Sequence, residues 1–208
     1  IQTSSISRKV SIFNPETNEW AAGPDLPSDS SAAGFATSSF STGGSLYVSG
    51  DSGVVYKLHE DPTVWKSVGR LMYPRMFHRL IPADDQRLLA IGGTSMRSGR
   101  MASIESFSVN RESNAPTAIQ WSSKIDGDVT GNQSIVLSGS RLYAFGGRTR
   151  NKPQPDLSDE AYLFNLQRQT VETLPKLPVA TEGAKPVVSA QTSEHRQILL
   201  FGGKHDEE

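Results

Sequence analysis

Apolar residues in this chain come in short runs, each closed within a few positions by Gly, Pro, Asn, Asp or Ser. No stretch sustains the spacing of an amphipathic helix, so the pattern predicts short strands joined by turns. Four runs share one form, apolar residues followed at once by glycine. They are Leu46-Tyr47-Val48-Ser49-Gly50, Leu89-Ala90-Ile91-Gly92-Gly93, Leu142-Tyr143-Ala144-Phe145-Gly146-Gly147 and Leu199-Leu200-Phe201-Gly202-Gly203. Their last glycines are 43, 54 and 56 residues apart. A tryptophan after a turn is a second landmark: Trp20, Trp65 and Trp121, spaced 45 and 56 residues, with Val171 where a fourth would fall. Two landmarks recurring in the same order mark a tandem array.

Each unit reads as four strands, a to d. Strand a is a short apolar run such as Ser134 to Leu137 or Pro186 to Val188, and a tight turn leads from it into strand b, which stops at the glycines. A polar loop of variable length precedes strand c (Val10 to Phe13, Val54 to Tyr56, Ile104 to Phe107, Ala161 to Phe164), and strand d carries the tryptophan. A Pro-containing junction follows, at Leu26-Pro27, Met72-Tyr73-Pro74 and Leu177-Pro178. This phase predicts one domain over 1–208: a partial unit at 1–27, whole units at about 34–71, 77–125 and 133–178, and a partial unit at 186–208. A lone four-stranded sheet leaves apolar faces and edges exposed, so such units are expected to stack face to face. The glycines suit places with no room for a Cβ, and the tryptophans are expected to fill the space between sheets.

The order of apolar run, Gly-Gly, loop, apolar or aromatic strand and Trp resembles the kelch repeat, one blade of the kelch β-propellers. That superfamily also holds the central propeller of galactose oxidase and the sialic-acid mutarotases. The segment from Leu71 to His78, followed by Arg87 to Gly93, is similar to the family's blade-to-blade junction. The resemblance covers nearly the whole chain. It implies an all-β fold, a kelch-type β-propeller with about four blades' worth of four-stranded antiparallel sheet. Two arrangements stay open: a closed four-blade ring in which the partial blades complete each other, or part of a larger ring with possible self-association. Three departures stand out: Ser49-Gly50 in place of Gly-Gly, an extra Arg111 to Thr117, and the missing fourth tryptophan.

Composition narrows the chemistry. With 21 basic and 22 acidic residues the net charge is -1, which gives no general reason to bind nucleic acid or an anionic membrane. The 18 Gly and 12 Pro favour turns over long helices. No apolar stretch approaches the roughly 20 residues of a membrane helix, so no membrane insertion is expected. Cysteine is absent, which excludes disulfides, thiolate metal sites and thiol nucleophiles in this chain. It also removes the crosslinked Cys–Tyr cofactor of galactose-oxidase-like copper enzymes. The four histidines show no ligand spacing, and no cofactor is expected. Ile1 in first place suggests a trimmed or processed chain.

In kelch-like propellers the b–c loops and d–a junctions share the face that usually binds ligands. Mapped here, that face holds Asp51, Ser52, Thr94 to Arg100, Arg148 to Asp159 and Lys204 to Glu208 with Gln2 to Arg8, and Asp29, Arg75, Asp126, Asp128 and Glu182 on junctions. The candidate ligand-binding residues are Arg75, Arg97, Arg100, Arg148, Arg150 and Lys152. Guanidinium groups on a rigid scaffold can hold a carboxylate in bidentate fashion, which points to an acidic peptide segment or a glycan. A non-catalytic binding module is the leading expectation. A carbohydrate-active enzyme of the sialic-acid mutarotase kind is the alternative, with Arg75, Glu182 and Arg148 as the residue types it would need. Asn132-Gln133-Ser134 is a formal glycosylation acceptor.

Overall fold

The computed structural model describes residues 6–30, 32–42, 44–58, 64–84, 87–97, 99–100, 104–109, 117–119, 129–131, 133–149, 157–168, 170–189 and 197–205. Among them every regular element is a strand. They group into two compact units, the first holding 1–99 and 105–119 and the second 100–104 and 120–208.

In the first unit, β1 (Ser11–Asn14) and β2 (Glu19–Ala22) form a two-stranded antiparallel sheet. Their turn is held by Asn14, whose Oδ1 accepts the Glu16 N–H at 2.9 Å, with Asn18 left-handed at φ 58°. Next come β3 (Ser38–Thr42), β4 (Ser45–Ser49), β5 (Val54–Leu58) and β6 (Trp65–Arg70), hydrogen-bonded in chain order. The following strands are β7 (Arg79–Asp84), β8 (Arg87–Ile91), the short pair β9 (Thr94–Ser95) and β10 (Gly99–Arg100), β11 (Ile104–Ser108) and β12 (Thr117–Ile119). Of these, β7, β8, β11 and β12 make a second four-stranded sheet.

The core of the first unit joins these two sheets. Tyr47, Val55 and Leu71 from one side pack with Leu80, Leu88, Ala90 and Phe107 from the other. Fully buried leucines such as Leu71 and Leu88 each contribute about 1.5–3 kcal/mol. A bulge in β6 brings Gly69 against Phe107, where a Cβ would fall 2.2 Å from the ring. Glycine is what lets the aromatic seat there.

In the second unit, β13 (Val129–Gly131) pairs with β16 (Arg148–Thr149). The strands β14 (Ser134–Ser138), β15 (Arg141–Phe145), β17 (Ala161–Asn165) and β18 (Thr170–Leu174) form a four-stranded sheet in unbroken register. The last hairpin is β19 (Lys185–Val188) with β20 (Ile198–Phe201).

The ladders correct the repeat alignment by one position. Ser49, Ile91, Phe145 and Phe201 each pair with the first residue of the preceding strand. Gly50 therefore aligns with Gly92, Gly146 and Gly202, and Asp51 replaces the second glycine. In the three intact pairs φ is 60–63° at the first glycine and 91–104° at the second. A Cβ on Gly146 would lie 2.2 Å from the Thr181 carbonyl oxygen. Around Asp51 the chain instead makes a tight turn closed by the Gly53 N–H on the Gly50 carbonyl at 2.9 Å, so the glycine is dispensable.

Neither of the two described tryptophans is fully buried between sheets. Trp20 is 71% exposed and meets the Phe13 ring at 5.0 Å in a tilted contact. Trp65 is half-buried and donates its indole N–H to the Pro24 carbonyl at 2.9 Å. Strand d is an outer strand, so the interior is filled from strands b and c. Trp121 lies outside the described residues.

Candidate functional site

The junctions after strand d are fixed by backbone before any side chain acts. The N–H groups of Leu26, Leu71 and Leu177 donate to the carbonyls of Arg8, Gly53 and Asp159 at 2.7–2.9 Å. Beyond the glycine pairs, Met76 bridges Thr94 in the first unit and Glu182 bridges Lys204 in the second. Each bridge ties a junction to the loop that follows strand b.

Arg75 lies inside the first of these junctions. It is fully buried, ion-paired with the equally buried Glu105, and donates to the carbonyls of Gly92 at 3.0 Å and Tyr73 at 3.1 Å. Glu105 also accepts the N–H of Met72 at 2.6 Å and of Tyr73 at 3.2 Å. Burial lowers the Arg75 pKa, partly opposed by Glu105, but a guanidinium stays charged at any ordinary pH. This corrects the expectation that Arg75 faces a ligand, because its donors hold the junction and its surface is closed to solvent. Nearby, Ser49 Oγ and His78 Nε2 lie 2.8 Å apart, both buried. Burial first, then the cations Arg75 and Arg79, push the imidazole down to about 3, so it is neutral at neutral pH.

The second unit has a related pair nearer to solvent. Arg148 grips Glu182 in bidentate fashion, Nε to Oε2 and Nη2 to Oε1, both at 2.5 Å. The Arg148 side chain keeps 29% of its surface exposed against 9% for Glu182. A ligand anion reaching Arg148 would therefore compete with Glu182.

An open cleft of about 470 Å³ lies in the first unit, lined by Asp29, Asp51, Arg70, Pro74, Met96 and Arg97 together with Ser52 and Ser95. Its carboxylates are positioned by hydroxyls: Tyr56 donates to Asp29 Oδ2 at 2.6 Å and Ser30 to Asp51 Oδ1 at 2.5 Å. Burial and then the bond to Asp29 raise the Tyr56 pKa, so it remains a donor. Arg70 and Arg97 are exposed, and neither guanidinium has an ion-pair or hydrogen-bond partner among the described residues. The cleft thus presents two unpaired cations, two oriented carboxylates and an apolar wall.

No family model matches this chain, and no curated protein matches it in sequence. The solved structure of YjhT does match in shape, with a TM-score of 0.74 over 95% of this chain and 69% of that one, at 13% identity. Stacked antiparallel sheets with this likeness decide the fold. It is a β-propeller type. At that identity the likeness carries the architecture alone.

Within the propeller, the structure brings together six residues that the sequence placed on one face: Asp29, Asp51, Ser52, Ser95, Met96 and Arg97. Arg148 belongs to the other unit, as does Arg100, of which only the backbone in β10 is described. Arg150 and Lys152 lie outside the described residues, as do Asp126, Asp128 and Asn132. Arg70 was missed by the sequence reading. It ends strand d immediately before Leu71, and the same place holds Asp25 and Lys176 in two other units, a charged position that the repeat alignment exposes. Among the described residues no group of three or more His, Asp or Glu is placed to hold a metal ion.

Proposed function

We propose that this protein is a non-catalytic binding module of the kelch type, which engages an acidic peptide segment or a glycan through its b–c loops and d–a junctions. The observation that carries this reading is the cleft with its two unpaired guanidiniums, Arg70 and Arg97. Arginine at a strand end or in the short loop between β9 and β10 loses less freedom when it forks a carboxylate than it would on a flexible tail. A cavity of about 470 Å³ lies within the range of ordinary ligand sites. Arg97, Arg100, Arg148, Arg150 and Lys152 remain the basic loop residues of this proposal, while Arg75 is assigned to the scaffold.

The test is calorimetric titration with carboxylate-bearing peptides and sugars. Charge reversal of Arg97 together with Arg70 is expected to abolish binding of whichever ligand the wild type takes, and unchanged affinity would defeat the reading. The alternative, a carbohydrate-active enzyme resembling the sialic-acid mutarotases, rests on the propeller fold. Its proposed acid or base, Glu182, is tied to Arg148 in both oxygens, which leaves it poorly disposed to move a proton. Catalysed anomer exchange of sialic acid, followed by NMR, would favour that alternative instead.

A further inference from the structure

Within that reading, we infer that the cleft of the first unit selects a peptide segment carrying neighbouring charges of both signs, a basic side chain beside an acidic one. The inference starts from the repeat. At the end of strand d, Asp25 pairs with Lys9 at 2.9 Å, and in the second unit Lys176 pairs with Glu160 at 3.0 Å. These are the same two places with the signs exchanged, each one residue before the junction leucine and one residue after the carbonyl which that leucine binds. In the unit at 34–71, one of the two between them in sequence, the two places hold Arg70 and Val54. Val54 is 8% exposed and carries no charge, so the cation is left without its intramolecular partner. It lines the cleft instead.

The rest of the lining decides the ligand's chemistry. Arg97 adds a second unpaired cation, while Asp29 and Asp51 each have one oxygen held by a hydroxyl and the other without a partner among the described residues. With two cations and two carboxylates, a purely acidic ligand is held by the arginines but opposed by the aspartates, so an acidic segment that also carries a basic side chain fits better. A segment with both signs satisfies both pairs. Met96, 83% exposed, and Pro74 supply an adaptable apolar wall of the kind that suits a peptide backbone, and no aromatic ring for stacking a sugar lines the cleft among the described residues.

The experiment uses three blocked octapeptides of otherwise identical sequence with a central Lys-Gly-Glu, Glu-Gly-Glu or Lys-Gly-Lys, titrated into the full chain by calorimetry. The mixed peptide is expected to bind about tenfold more tightly than either single-sign peptide at low salt. Joint Asp29→Asn and Asp51→Asn substitution should reverse the order in favour of Glu-Gly-Glu, and joint Arg70→Gln and Arg97→Gln substitution in favour of Lys-Gly-Lys. Unchanged melting curves would show that these surface variants stay folded. A wild-type preference for Glu-Gly-Glu would overturn this inference while leaving the acidic-ligand reading intact. Failure of all three peptides to bind would overturn this inference and the peptide reading on which it rests, leaving the glycan reading to the sugar titrations.

Discussion

Two arginine–glutamate pairs hold corresponding parts of the two units, and they differ in almost everything except the residue types. Arg75 and Glu105 have no exposed surface, and each also bonds the backbone of the junction that it closes. Arg148 and Glu182 form a cleaner two-pronged contact, yet Arg148 remains 29% exposed. A buried pair leaves a costly bare charge when one partner is lost, whereas water can replace part of an exposed one. The first pair is therefore a structural lock. The second keeps a cation within reach of solvent, where function can use it.

The sharpest way to break this contrast is Glu105→Ala. It leaves Arg75 buried without its counter-charge and frees the Met72 and Tyr73 N–H groups, so a loss of about 3–5 kcal/mol in denaturant unfolding is expected. The pH profile is next. His78 stays neutral in the folded chain down to about 3, while the unfolded chain takes up a proton near 6.5. Stability should therefore fall as the pH drops through that window, by about 1.4 kcal/mol per pH unit from this group. Comparing wild type with His78→Gln isolates that slope, and parallel profiles would refute it. Arg148→Ala should cost less than Glu105→Ala, about 1–2 kcal/mol by the same unfolding assay. An equal loss would erase the distinction between the two pairs.

The smallest effect concerns the backbone shared by the junctions. Two residues before strand a, Ala36, Phe77 and Gly183 are all left-handed, at φ of 50°, 55° and 70°. Only the last is glycine. Ala36→Gly is expected to raise stability by about 0.5–1 kcal/mol, the steric relief being offset by a more flexible unfolded chain. Thermal melting would show it, and a lowered midpoint would mean that the alanine is not strained. Phe77 meets Phe35 edge-on at 5.5 Å, so the same exchange there would also remove an aromatic contact.

Much of the fold was readable because strand alternation and glycine spacing are local. Ser134 to Leu137, Val54 to Tyr56 and Ala161 to Phe164 all lie in the strands expected of them. The tryptophans misled because their size suggests burial, while their place on an outer strand leaves Trp20 in water. The candidate site was only half legible. Asp51 and Arg97 could be assigned to loops from their neighbours, but the burial of Arg75 depends on Glu105, thirty residues away, which carried no sign of its partner.

By itself the sequence determined the repeat, the strand order within each blade and the absence of thiol chemistry, because periodicity and composition need no partner in space. Only the tertiary structure decided which charges are free. Lys9 and Glu160 neutralise the ends of two strands, and a valine at the third leaves Arg70 facing an open cleft. Whether a charge is quenched depends on what lies across the sheet, and that neighbour is far along the chain.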